Sequence, residues 1–174
     1  MPLEFASLIN KYGPLLSRVA ASYGPLLSRV AASYEANPEL RKELLQEISL
    51  AVWQAMSAFR GQSSEKTYLL KVAHNRCVSH VASQVRLRDR EALDESLPDD
   101  KGPEPEASAI GHQRQNALLV AVRRLPLQER QVVTLFMEGL SYQETAEICG
   151  LTGNHVGVIL SRAKARLSKE LEDV

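Results

Sequence analysis

Residues 139–167 read GLSYQETAEICGLTGNHVGVILSRAKARL, and the punctuation of this stretch decides the fold. Ser141 followed three residues later by Glu144 makes a capping box, in which each side chain takes the other residue's free amide at a helix start. Gly150 supplies a helix stop, and Thr152 a cap for the next helix. The pattern predicts a short helix over 141–149, a tight turn, and a longer helix over 152–170. On the longer helix Val156, Leu160, Ala163 and Leu167 share one face, while Asn154, Val158, Ser161, Arg162 and Lys169 occupy the other. A helix buried on one side and polar to basic on the other, entered through a Gly turn, is how a helix-turn-helix offers its recognition helix to the major groove. A plain helical hairpin is the alternative, and it does not require the basic outer face.

Working outward, the apolar residues fall at helical spacings and period-two alternation is nearly absent, so the fold class is all-α. Helices are expected over 113–124, ending at Leu125-Pro126, and over 127–138, ending at Gly139. Upstream, Asn37-Pro38-Glu39 is a helix start with Pro at the first helical position. From there to Phe59, the residues Leu44, Ile48, Ala51, Val52, Ala55 and Phe59 line one face. Arg60-Gly61-Gln62-Ser63-Ser64 ends that helix in a polar turn. A helix over about 65–85 follows, apolar on most sides and so central to its domain.

Charge divides the chain of 174 residues, whose 21 basic and 21 acidic side chains cancel. Residues 1–88 hold 11 basic and 6 acidic groups, residues 89–106 hold 2 and 8, and residues 107–174 hold 8 and 7. The middle block, DREALDESLPDDKGPEPE, is acidic and Pro-rich and cannot form a core, which marks a linker. Three segments result: a basic N-terminal domain (1–88), an acidic flexible linker (89–112) and a smaller C-terminal domain (113–174). Zero net charge excludes a uniformly basic nucleic-acid-coating protein. The longest apolar run, Ala117–Val122, is far short of the ~20 residues a membrane span needs. No secretory signal opens the chain, and Cys77 and Cys149 make no disulfide framework. The expectation is a cytoplasmic protein with reduced thiols and no membrane partner.

Residues 12–22, YGPLLSRVAAS, recur letter for letter as residues 23–33. Eleven residues at ~100° each return a helix to nearly the same face, so such an insertion keeps its buried stripe in phase. The second copy is tied by a short connection, Tyr34-Glu35-Ala36-Asn37-Pro38, to the next helix. Leu26, Leu27, Val30 and Ala31 are therefore expected in the N-terminal core. The first copy should extend the helix by ~16 Å or pack elsewhere, with a kink at Pro25 or a break at Gly24. Leu15, Leu16 and Val19 then form an extra apolar stripe through which the duplicated segment could self-associate.

Two stretches in this order resemble bacterial RNA polymerase sigma factors. Residues 125–167 resemble their fourth region, and residues 43–80, ELLQEISLAVWQAMSAFRGQSSEKTYLLKVAHNRCVSH, resemble their second. Joined by an acidic tether, they are similar to the compact extracytoplasmic-function class. The resemblance implies a transcription initiation factor that binds core RNA polymerase and directs it to promoter DNA through −10 and −35 elements. An anti-sigma factor is a further partner it allows. It assigns core-polymerase docking to the helix carrying Glu43, Gln46, Glu47, Leu50, Trp53 and Gln54, and helical spacing independently turns these residues away from the core face. It assigns −10 melting to the loop and helix carrying Gln62, Ser63, Ser64, Lys66, Tyr68, Lys71 and Arg76. No acidic residue interrupts Lys66 to Arg88, which suits phosphates. Tyr68 stands where the family commonly has Trp. It assigns −35 reading to Thr152, Asn154, His155, Val158, Ser161 and Arg162. Here Gly157-Val158-Ile159 replaces the polar trio common in the family, which removes hydrogen-bonding side chains from the middle of the recognition helix.

His74, Cys77 and His80 are spaced as partial metal ligands, but they fan through ~120° of helix with no fourth ligand nearby in sequence, so no metal is assigned. No catalytic triad, carboxylate pair or phosphate loop is present, and neither an enzyme nor a cofactor is expected. The rival to the sigma-factor reading is a free-standing helix-turn-helix regulator that acts on duplex DNA without polymerase.

Overall fold

A computed structural model describes residue 14 and residues 21–92 and 110–172. Every regular element among them is α-helical. Residues 21–34 form α1, followed by α2 (Pro38–Met56), α3 (Glu65–Ala92), α4 (Ile110–Arg124), α5 (Leu127–Met137), α6 (Tyr142–Cys149) and α7 (Gly153–Glu172). The acidic block from residue 93 to 109 lies outside the described residues, as do Leu15, Leu16 and Val19 of the first repeat copy.

Helix α2 starts as its sequence requires. The Asn37 side chain accepts from the Glu39 and Leu40 amides, and Pro38 follows with no amide to satisfy. Its buried face is Leu44, Ile48, Ala51, Val52 and Met56. The expected stripe ends early, because the helix stops at Met56. Ala55 is half-buried, and Phe59 sits beyond the helix with its ring 4.9 Å from that of Tyr68.

Leu26, Leu27, Val30 and Ala31 pack with that face and with Leu69, Leu70, Ala73 and Cys77 of α3 into one N-terminal core. The second repeat copy is thus the one that docks, as its short connection to α2 demands. Helix α1 continues through Gly24 and Pro25, so the expected break at Gly24 does not occur among residues 21–34. Helix α3 is less central than its composition suggests. Its buried residues end at Cys77, and residues 85–92 are all exposed, with no described element packed against its last two turns.

The C-terminal helices α4, α5, α6 and α7 build a second core from Val122, Leu125, Val132, Val133, Ala146, Val156, Ile159, Leu160 and Ala163. The capping box between Ser141 and Glu144 is complete. Gly150 ends α6 in the left-handed region (φ 70°), where a side chain would be strained. The two cores are not separate. Leu135 and Leu140, which bracket the turn from α5 to α6, are buried in the N-terminal core.

Two stability measurements follow. Leu44 is fully enclosed, so Leu44→Ala should cost about 2–5 kcal/mol in urea unfolding. His74 is buried beside Tyr34, its Nδ1 3.4 Å from the Tyr34 hydroxyl, and burial pushes its pKa down to about 4. The unfolded chain takes up this proton near pH 6.5 and the folded chain only near 4. The neutral ring's contribution is therefore complete above pH 6.5 and is lost as pH falls toward 4. The loss between pH 7 and 4.5 should be smaller for His74→Leu than for the native chain, by up to about 3 kcal/mol.

Candidate polymerase and nucleic-acid interfaces

The solvent face of α2 carries Glu43, Gln46, Glu47, Leu50 and Gln54, all exposed, with Trp53 half-buried at its edge. They are displayed together because the opposite stripe, Leu44, Ile48 and Val52, is committed to the core. Leu50 is 51% exposed, the most open large apolar side chain among the described residues. An aliphatic group held in water among carboxylates and amides suits a protein partner.

Gln54 also faces a shallow groove between α2 and α3, floored by Ala51, Ala55 and Val72 and edged by Asn75, Arg76 and Ser79. Arg76 is the one member of the expected −10 set that lines this groove, and Asn75 and Ser79 join it because their spacing with Val72 puts all four on one side of the helix.

The loop between α2 and α3 is held by its own polar groups. Gln62 Oε1 accepts the Arg60 amide at 3.0 Å, and Ser63 Oγ donates to the Ser64 carbonyl at 3.1 Å. Ser64 Oγ accepts the Thr67 amide at 3.1 Å and caps the start of α3. Tyr68 is a strut more than a free stacking platform. Its ring packs on Phe59, and its hydroxyl donates to the Ala55 carbonyl at 2.9 Å. Lys71 and Arg76 are open to solvent.

Lys66 is not free. Its Nζ donates to the backbone carbonyl of Glu138 in the turn after α5. Next to it, Thr67 Oγ1 donates to Glu144 Oε2 at 2.6 Å. That hydroxyl, together with the amide and hydroxyl of Ser141, holds the Glu144 carboxyl below the usual carboxylate range.

On α7, Asn154, His155, Val158, Ser161 and Arg162 are all exposed along one side, and Thr152 Oγ1 accepts the His155 amide at 3.2 Å. Ile159 is 2% exposed and belongs to the core, so the middle of the recognition helix offers only Gly157 and Val158 outward. The Tyr142 ring lies over Gly157, where an added Cβ would come within 3.4 Å of it.

His74 and Cys77 point into the core, while His80 Nε2 lies 3.1 Å from Glu35 Oε1. Among the described residues no three His, Cys, Asp or Glu side chains gather as a metal site would need. Burial pushes the Cys77 thiol up to about 12 and that of Cys149 to about 11, so neither is a nucleophile at neutral pH.

Residues 19–87 match the family model for sigma-70 region 2, and residues 115–167 match that for sigma-70 region 4. The chain belongs to the extracytoplasmic-function sigma factor family. The sigma factor is 29% identical over 136 residues to the ECF RNA polymerase sigma factor SigX of Bacillus subtilis, covering 75% of this chain and 70% of the relative. It is 29% identical over 136 residues to RNA polymerase sigma factor YlaC of the same species, covering 76% and 78%. Among solved structures, RpoE of Bartonella quintana, crystallised with the anti-sigma factor NepR, superposes with TM-score 0.67 at 24% identity over 90% of this chain and 96% of that one. CnrH, in complex with the cytosolic domain of CnrY, gives TM-score 0.64 at 18% identity over 97% and 94%.

The exposed basic side of α7 leads to a measurable outcome. Arg162→Ala should weaken binding of duplex promoter DNA by about 1–3 kcal/mol if the guanidinium meets a base edge. Uniform weakening on every sequence assigns it to a phosphate, and unchanged binding removes it from the interface.

Proposed function

We propose that this sigma factor docks on core RNA polymerase through Glu43, Gln46, Glu47, Leu50, Trp53 and Gln54. The observation that carries the proposal is Leu50, held half in water on the outer face of α2 with its neighbours turned the same way. The −10 element falls to the loop and first turns of α3, with Gln62, Ser63, Ser64, Lys66, Lys71 and Arg76 as polar and phosphate contacts. Tyr68 holds the loop in shape. Asn75 and Ser79, in the groove beside Arg76, belong with this set. The −35 element falls to Thr152, Asn154, His155, Val158, Ser161 and Arg162. With Gly157 bare and Ile159 buried, reading there rests on fewer hydrogen bonds and on apolar contact from Val158, for which a thymine methyl is the matching groove feature.

In this reading residues 1–88 serve polymerase and the −10 element, the acidic linker placed at 89–112 by the sequence spans the promoter between the end of α3 at Ala92 and the start of α4 at Ile110, and 113–174 serve the −35 element. The exact repeat of residues 12–22 is read as a tandem duplication whose second copy fills the structural position. Self-association through the first copy lies outside the described residues. RNA synthesis is the work of the polymerase, and the sigma factor contributes no catalytic group. Among the described residues no helix is long and apolar enough to cross a membrane. The place of action is the cytoplasm, where polymerase and promoter are. A protein that sequesters the sigma factor, as the anti-sigma factor NepR is named for RpoE, is a fitting partner.

Purified chain mixed with core polymerase should yield promoter-specific transcripts. Leu50→Asp should abolish polymerase binding with helix content and melting temperature retained. Early melting of that variant would place Leu50 in the core. Tight duplex binding by the chain alone, with no promoter-specific transcripts, would favour the free-standing regulator.

A further inference from the structure

Helix α1 fills its seat on α2 and α3 with a short set of side chains. Leu26, Leu27, Val30, Ala31 and Tyr34 are buried in the N-terminal core, each at 6% exposure or less. Ser33 is 3% exposed, and its Oγ donates to the Arg29 carbonyl at 3.1 Å. Arg29 meets the Glu138 carboxylate through two bonds of 3.0 Å each, and the Ala32 carbonyl accepts from Arg123 Nε at 2.7 Å.

Each of these residues has an identical residue eleven positions earlier. The match includes the closing tyrosine, so residues 12–23 and residues 23–34 both read YGPLLSRVAASY. Leu15, Leu16, Val19, Ala20 and Tyr23 correspond to the five buried side chains, and Arg18, Ala21 and Ser22 to Arg29, Ala32 and Ser33. Eleven residues turn a helix three times plus ~20°, so a helical first copy presents its set on one face in the same order. We propose that the seat accepts either copy, residues 12–23 replacing 23–34 on α2 and α3, which gives the chain a second register of α1.

Two features favour the observed register. Glu35 lies beyond the repeat, with Gly24 as its counterpart, so only the observed register brings a carboxylate to 3.1 Å from His80 Nε2. The connection to α2 also lengthens in the second register, from residues 35–37 to residues 24–37, and closure entropy rises with loop length, though slowly. The second register is therefore a minor state in the native chain, and it becomes the main one when the second copy is damaged.

The test uses the full chain. Leu27→Asp puts a carboxylate at a site 3% exposed, which in a chain with one register would unfold the N-terminal core. With two registers, Leu16 takes that place. L27D should keep a cooperative thermal transition, and L16D should melt like wild type. L16D/L27D, with neither copy intact, should lose the transition. The register itself is read from the reaction of an introduced thiol with N-ethylmaleimide, located by peptide mass spectrometry to separate it from Cys77 and Cys149. Ser22 is exposed and Ser33 buried, so Ser22→Cys should react in the native background and Ser33→Cys should be protected. Adding L27D should reverse the two, whereas unfolding alone exposes both. An L27D chain that melts no higher than the double variant, or an S22C thiol still reactive beside L27D, would overturn the proposal. So would an L16D chain as damaged as L27D, which would mean that both copies are needed at once. A rescue of L27D that grows with protein concentration and sediments as a dimer would also overturn it, by placing the first copy on a second chain.

Discussion

Two leucines bracketing a tight turn hold this molecule in one piece. Leu135 and Leu140 belong by sequence to the C-terminal helices, yet their side chains complete the core formed by α1, α2 and α3. Burying a leucine contributes about 1.5–3 kcal/mol. The Arg29–Glu138 pair beside them is mostly in solvent on the arginine side, where such a pair contributes at most about 1 kcal/mol. The apolar seats therefore attach the two halves, and the polar contacts decide where the turn rests. Gly139, between Glu138 and Leu140, adopts φ 87°, the left-handed backbone that lets the chain reverse and aim Leu140 back at α1 and α3.

Tyr34 shows how closely the halves are joined. It ends α1, buried at 5% exposure, with its hydroxyl 3.4 Å from His74 on α3 and the Arg130 guanidinium of α5 5.9 Å from its ring. Burial pushes the Tyr34 phenol up, the His74 ring down, and the Cys77 thiol up. All three are thus neutral at physiological pH, as a core with so few charge partners requires. The presented surfaces follow from this packing. The docking face of α2 is whatever its core stripe leaves outside, and the outer side of α7 is set by Val156, Ile159, Leu160 and Ala163 pointing inward.

The caps and stripes were legible in the sequence because they are local. The Asn37 cap, the Ser141–Glu144 box, the Gly150 stop and the docking of the second repeat copy each depend on residues a few positions apart or on a short connection. The misreadings have a common cause. Helix α3 reads as apolar on most sides, but among the described residues nothing packs on its final turns, and only the three-dimensional arrangement shows that. Ile159 stands where the family resemblance would put a polar side chain, yet it lies three residues after Val156 and four before Ala163, on the buried stripe of α7. What the sequence does not show of Tyr68 is its tie to α2, where its hydroxyl donates to the Ala55 carbonyl. The joining of the halves was illegible for a different reason. Arg29, Lys66, Glu138 and Glu144 each look like ordinary surface charge, and Leu140 looks like a loop residue. Their meaning arises only when segments 72 to 109 residues apart meet.

That the two halves share one core in the free chain is the claim on which the rest depends, and one unfolding experiment addresses it. Trp53 is the only tryptophan, so its fluorescence reports the N-terminal half, while circular dichroism at helix wavelengths reports both. A urea titration followed by the two signals should give coincident transitions with a single midpoint and slope. Separate midpoints, with helix content lost in two steps and Trp53 following only one of them, would contradict the shared core.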